Sequence, residues 1–265
     1  VSNLRAIYII WYRDILRFWR DRARLVTSFA QPFLFLVIIG TGLSSGMALL
    51  GGATGYNYIQ YMYPGIIAMV VLFTGIMGGV SIVWDREFGF LKEVLVAPIS
   101  RGAVAVGKAL GGATIATAQG LVMLVFIPFV GVSVSVAQVF LLIPLMFVFA
   151  FSLTSLGILI ASRIKTMESF QVVMQLMIFP LFFLSPALFP VERLPAWLGV
   201  PVRLNPVSYG VDSLRQAVLT PAEGVPSLGI SILGHTMSIG EDVAILALFG
   251  LIMAGLAVWS FRNQE

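Results

Sequence analysis

"LVTSFAQPFLFLVIIGTGLSSGMALLGGATGYNYIQYMYPGIIAMVVLFTGIMGGVSIVW", residues 25–84, runs for 60 residues without a charge. That length holds two helical membrane spans of about 20 residues each and a connection between them. The connection is "SSGMALLGGATGYN", residues 44–57, where Gly and Ser gather. A second uncharged run, 109–162, has 54 residues and breaks near "GVSVS", 131–135; a third, 169–191, has 23, and a fourth, 243–261, has 19. Six spans are predicted, near 25–43, 60–84, 107–130, 137–161, 168–189 and 243–261. Each must be helical, because in hydrocarbon the backbone's polar groups need partners within their own segment.

Composition points the same way. The chain is 59% hydrophobic and 11% charged, whereas a soluble domain carries roughly 25% charged residues. It has no cysteine and one histidine, His235. Disulfides, thiolate metal sites, a cysteine nucleophile and a multi-histidine metal site within one chain are thereby excluded. Arg5, Arg13, Asp14 and Arg17 interrupt the first apolar stretch and no small-residue cleavage site follows, which is unlike a signal peptide. Of the 16 Lys and Arg, 13 fall on one side of the predicted spans, and only Arg193, Arg203 and Arg215 on the other. The basic side is the cytoplasmic one. Both ends of the sequence are therefore expected in the cytoplasm, and residues 190–241 outside.

Residues 1–24 read as an amphipathic helix. Leu4, Ile7, Tyr8, Trp11, Ile15, Phe18 and Trp19 follow one helical face, and Arg13, Arg17, Arg20 and Arg24 follow another. This is the pattern of a helix lying in the membrane interface, in contact with lipid. In the cytoplasmic segment 85–108, Leu91, Val94 and Leu95 share one face of a short helix that Pro98 ends. Asp85, Arg86, Glu87, Lys92 and Glu93 surround it with both signs. Mixed charge around an apolar knob suits a protein docking surface better than a lipid one.

The same segment ends in a near-miss phosphate loop. Gly102, Gly107 and Lys108 fit G-x-x-x-x-G-K-[ST], but Ala109 replaces the metal-binding hydroxyl. A working loop follows a strand in a soluble βαβ unit, for which this chain has no room. Lys108 is read instead as an interfacial anchor of the third span, with Gly107, Gly111 and Gly112 allowing close helix approach. Outside, Asn205 and Pro206 read as an N-cap and first helical residue, followed by Val207, Val211, Leu214 and Val218 at helical spacing. "LPAWLG", 194–199, reads as a second short external helix.

None of the six predicted spans contains an Asp, Glu, His, Lys or Arg except Lys108, second residue of the third, and Glu168, first residue of the fifth. Ion-coupled carriers place such groups inside the bundle, so a pump with its own proton relay is disfavoured, as is an intramembrane protease. The fifth span is rich in Met and Phe and carries Pro180 and Pro186. Met and Phe adapt to varied apolar shapes, so this span is expected to wall a substrate path, with Gln171 and Gln175 as a polar edge on the face of Phe182. Phe170, Met174, Met177 and Phe182 are the expected path residues, with Phe73 and Met77 of the second span opposite.

Together these features resemble the permease subunits of type-2 ABC exporters, most closely the daunorubicin-resistance branch. The likeness covers nearly the whole chain. It is most specific in "WDREFGFLKEVLVAPISR", 84–101, where Asp85, Arg86, Glu87, Gly89, Pro98 and Ser100 match, and in "LNPVSYGVDSLRQAVL", 204–219, where Asn205, Pro206, Asp212 and Arg215 match. Phe90 departs from the family, which commonly has threonine there. The resemblance implies one all-α permease domain over 1–265, with an interfacial helix in 1–24, a coupling loop in 85–100 and an external segment in 190–241. It implies two permease chains, forming a homodimer in the cell membrane around a path for a hydrophobic or amphiphilic drug, lipid or glycolipid. Separate ATPase subunits would bind ATP and Mg and dock on Glu87, Phe90, Leu91 and Leu95. No catalytic residue, cofactor, metal or nucleic-acid partner is expected in this chain. The competing reading is a non-transporting scaffold that recruits a cytoplasmic protein.

Overall fold

The computed structural model describes residues 3–44, 56–87, 100–189, 195–219, 229–232 and 235–262. In chain order the helices are α1 (Asn3–Arg20), α2 (Arg22–Ser44), α3 (Tyr58–Met77), α4 (Val80–Glu87), α5 (Arg101–Met123), α6 (Ile127–Val130), α7 (Val136–Arg163), α8 (Met167–Phe183), α9 (Ala196–Leu204), α10 (Pro206–Val218) and α11 (Ile239–Arg262). A hairpin of β1 (Ser231–Ile232) and β2 (His235–Thr236) precedes α11. Nothing in the sequence signalled it, because two-residue strands are too short to show an alternating pattern.

Helix α3 sits at the centre. It is apolar on every face, and nearly all of it is buried against α2, α5, α7, α8 and α10. A helix apolar all round belongs in such a position. Among the described residues four stretches are long and apolar enough to cross a membrane: Tyr58–Glu87, Arg101–Val130, Val136–Arg163 and Ile239–Phe261. Ala30–Gly42 and Met167–Phe183 are shorter apolar helices.

The turns fall where the sequence placed them. Ser135 caps α7, its hydroxyl accepting from the Gln138 amide while Gln138 Oε1 accepts from the Ser135 amide (2.7 Å). Asn205 caps α10, its Oδ1 accepting from the Val207 amide at 3.0 Å, and Val207, Val211, Leu214 and Val218 are all buried. Trp197 lies exposed on α9.

The fifth predicted span is shorter than its uncharged run. Helix α8 stops at Phe183 rather than near residue 189. Pro186 has no N–H to continue the ladder, and the Asn205 amide takes up the freed carbonyls of Leu181 (2.7 Å) and Leu184 (2.8 Å). One side chain thus begins α10 and finishes α8.

Candidate functional site

The second span ends in Asp85, Arg86 and Glu87, and each of the three holds a different part of the molecule. Asp85 accepts from the ammonium of Lys108 on α5 at 3.0 Å and lies 3.7 Å from the guanidinium of Arg13 on α1. Arg86 donates to the carbonyls of Ile164 (2.7 Å) and Ser162 (3.0 Å) at the end of α7. Glu87 accepts from the amide of Met167, the first residue of α8, at 3.1 Å. The C-terminal turn of α4 is therefore clamped to α1, α5, α7 and α8 just before the chain enters residues 88–99.

Lys108 is the interior member of this cluster. Its side chain is 3% exposed, and its ammonium also donates to Ser81 at 2.8 Å and lies 3.9 Å from Asp14. It is not the interfacial anchor its position suggested. Helix α1 covers it, because Gly107 and Gly111 let α1 approach closely: a Cβ on Gly107 would stand 3.0 Å from Ile10, and one on Gly111 would stand 3.3 Å from Asp14. Trp11 fastens the same contact by donating to Thr114 at 3.0 Å. Within α1, Ala6, Ile10 and Phe18 are buried, whereas Leu4, Tyr8 and Trp19 of the predicted apolar face remain exposed.

Of the expected docking residues, Glu87 is exposed apart from its Met167 contact. Phe90, Leu91 and Leu95 lie outside the described residues. At the other root of the segment, Ser100 caps α5 by accepting from the Ala103 amide at 3.2 Å.

The expected path residues separate into two groups. Phe170, Met174 and Phe182 line up with Ile178 along one stripe of α8 and are buried in their own chain's core. Phe182 meets Phe35 of α2 edge-on at 6.1 Å. Met177, Phe73 and Met77 are half-buried, and Phe73 packs edge-on against Phe179 at 6.4 Å. The exposed face of α8 carries Gln171, Val172, Gln175, Leu176, Phe179 and Phe183. Gln171 and Gln175, which spacing aligns with Phe182, are thus exposed where Phe182 is buried. Helix α8 is apolar nearly all round, so spacing alone could not tell its inward stripe from its outward one.

A second polar cluster lies at the other end of the bundle. Arg215, 1% exposed, stacks its guanidinium 4.0 Å above the Tyr61 ring and donates to the Pro186 carbonyl. Asp212 and Asp242 are fully buried. Gln216 Nε2 reaches both, at 3.2 and 3.4 Å, and the Ile230 amide donates to Asp212 at 2.8 Å. Sequence reasoning missed Asp242 because it stands at the edge of an uncharged run, where a solvated flank is the ordinary expectation.

Two carboxyls buried around one amide group disfavour a second negative charge, and burial pushes the Asp212 carboxyl above the usual carboxylate range. A group whose folded-state pKa is raised contributes stability at low pH and loses it as pH climbs through the raised value. The native chain should therefore lose thermal stability as pH climbs from the ordinary carboxylate value, about 3.9, through the raised one. Asp242→Asn removes the second carboxyl and should flatten that loss. Melting curves of both proteins across this window test it, and parallel losses would remove the coupling between the two carboxyls.

The arrangement is that of a multi-pass α-helical membrane protein with a polar clamp at each end of its bundle. The family model described as ABC-2 type transporter matches residues 5–219, and the chain belongs to that family. It is similar to the protein named transport permease ycf38 in Cyanophora paradoxa, 25% identical over 94% of this chain and 86% of that one. The inner membrane transport permease YadH of Escherichia coli (strain K12) is 28% identical over 93% of this chain and 92% of its own length. YbhR of the same organism, named a probable multidrug ABC transporter permease, is 29% identical over 63% of this chain and 45% of its own length. Membership makes the chain a transmembrane subunit of an ABC transporter.

Proposed function

We propose that this chain, as a single permease unit over 1–265, works in an ATP-driven exporter of hydrophobic or amphiphilic molecules (drugs, lipids or glycolipids). In this reading the chain crosses the cell membrane six times, with α2 and α8 as the spans completed by shorter apolar helices. Both ends of the sequence face the cytoplasm. Two copies pair, and separate ATPase subunits holding ATP and Mg dock on Glu87, Phe90, Leu91 and Leu95. The path runs past Phe73, Met77 and Met177, while Phe170, Met174 and Phe182 shape its wall from behind. The exposed face of α8, with Leu176 74% and Val172 66% exposed, turns toward the second copy or the path.

The observation that carries this reading is the clamp at the roots of residues 88–99. Asp85, Arg86 and Glu87 connect one root to four helices, and Lys108 joins it to the helix that leaves the other root. A push on the segment would reach α1, α5, α7 and α8 at once. A scaffold that only recruits a partner has no use for such a connection.

Leu91→Asp tests the docking assignment. A charge in an apolar contact has no partner there, and assembly with the ATPase should weaken roughly a hundredfold, about 3 kcal/mol. Copurification of the ATPase with the native and mutant chains is the measurement. A mutant that inserts normally and still brings down an equally active ATPase would sink the assignment. A native chain that binds its cytoplasmic partner but transports nothing would favour the scaffold.

A further inference from the structure

Two cavities lie along α3 and α4 and share Met77 as a wall. The larger, about 600 Å³, opens between α1, α4, α5 and the start of α8, and Asp14, Arg17, Asp21, Trp84 and Gln171 stand around it. The smaller, about 170 Å³, continues between α2, α3 and α5 past Met69, Phe73 and the Thr74–Gln119 pair. Sites for small ligands ordinarily measure about 300–1,000 Å³. From Trp84 to Met69 the track follows fifteen residues of helix, roughly 22 Å. One end is polar and aromatic, and the rest is apolar with neutral hydrogen-bonding groups.

We propose that this track binds an amphiphile with an uncharged, hydroxyl-rich headgroup, the headgroup lying among Asp14, Arg17, Trp84 and Gln171 and the chain along Met77, Phe73 and Met69. The proposal rests on the membrane orientation given above, which puts the mouth at the cytoplasmic interface. The headgroup's class follows from what the mouth has left to offer. Asp14 already pairs with Arg13 at 3.3 Å and with Lys108 at 3.9 Å, and Arg17 stacks over Trp84 at 5.4 Å. The ring contact leaves the charge of Arg17 in place, but Asp21 stands at the same mouth, and the acids Asp14, Asp21 and Asp85 equal the cations Arg13, Arg17 and Lys108 in number, so a charged headgroup gains little here. Their hydrogen-bonding capacity is not exhausted: a carboxylate offers about four lone-pair sites and a guanidinium five N–H donors. Many hydroxyls can use such a mixture of donors and acceptors, and the Trp84 ring, 42% exposed, offers a flat surface for a sugar's C–H face. Deeper in the track Thr74 donates to Gln119, and both groups are neutral. Among the described residues a full charge would meet no counter-ion at that depth, and it would be strongly disfavoured.

The chain has no cysteine, so Met77→Cys reports on the shared wall without background. The full chain carrying it is placed in phosphatidylcholine nanodiscs and exposed to a thiol reagent. Dodecyl maltoside, dodecyltrimethylammonium or dodecyl sulfate is added below its micellar concentration. Dodecyl maltoside is expected to protect the cysteine best. Trp84→Leu should raise its half-protecting concentration about two- to tenfold, and Gln171→Leu should act in the same direction if the tryptophan variant fails to fold. A cysteine at Leu248, exposed on α11 away from both cavities, should be indifferent to all three. Equal protection by all three amphiphiles, stronger protection by a charged one, or protection by none would overturn the proposal. The readout needs neither an ATPase nor transport, so its failure is separate from failure of the exporter reading, which the copurification experiment decides.

Discussion

Lys108→Met should loosen the end of the second span while leaving nucleotide binding by the assembled transporter as it was. The substitution keeps the length and apolar stem of the side chain and removes only the ammonium. Asp85 and Asp14, 13% and 14% exposed, then face each other with the half-exposed Arg13 as their remaining cation. Breaking a buried pair by deleting one partner costs about 3–5 kcal/mol. Arg13 and residual water offset part of that, so a loss of about 2–3 kcal/mol is expected. Asp85→Asn combined with Lys108→Met removes the stranded charge and should recover much of the loss, giving a clear coupling in a double-mutant cycle.

The functional consequence should be larger than the loss of stability. Lys108 joins the helix leaving residues 88–99 to the helix entering them, and both to α1. Without it, ATP hydrolysis by the assembled subunits should continue while substrate-stimulated hydrolysis falls. Thermal melting together with ATPase assays at several substrate concentrations tests both halves. A variant as stable and as well coupled as the native chain would show that the clamp transmits nothing. Loss of saturable nucleotide binding would instead revive the phosphate-loop reading of Gly102, Gly107 and Lys108.

How far the sequence could be read depended on what each signal measures. Uncharged runs report which segments avoid water, so the membrane class and the break at 131–135 were plain, while most of the connection read at 44–57 lies outside the described residues. Caps are local chemistry, and Asn205 declared itself because an amide side chain and a proline preceded a helical run. The inward stripe of α8 was not legible, because hydrocarbon outside and packed core inside both select apolar residues. Phe170 and Phe179 look alike in sequence, yet one is buried and the other is half exposed. Lys108 misled for a related reason. A lysine at a span's end ordinarily reaches for the interface, and only the fold brings Asp85 and Asp14, 23 and 94 residues away in sequence, to its ammonium. Asp242 was hidden in the same way, its partner Asp212 being supplied by a helix that folds back into the bundle.

Gly157→Ala should prevent α3 and α7 from closing on each other, and among single-methyl changes in the bundle it should be one of the most damaging. A Cβ at 157 would stand 2.2 Å from the Ile76 carbonyl oxygen and 2.9 Å from its carbon. Across the same contact a Cβ on Gly79 would stand 2.5 Å from the Gly157 oxygen. The obstruction is backbone on both sides, so no side chain can turn away to make room. Without a hydrophobic driving force between helices in lipid, association depends on close packing of this kind. Overpacking costs about 1–3 kcal/mol where side chains can adjust, and this site should reach or exceed the upper end of that range. The damage would not stay local, because Gly79 begins the turn into α4 and α4 carries Asp85, Arg86 and Glu87 to their partners. The comparison is Gly255→Ala on α11, where an added Cβ meets nothing within 4 Å. There alanine should be neutral or stabilising, by up to about 1 kcal/mol, since glycine weakens a helix interior by roughly that amount. Both variants add the same methyl group to an apolar helix, so their difference isolates the contact. Measured as melting temperature and as yield of folded chain from the membrane, Gly157→Ala should fall well below native and Gly255→Ala should not. Equal behaviour of the two would mean that α3 and α7 do not meet backbone to backbone, and the placement of the Asp85–Glu87 clamp would lose its foundation.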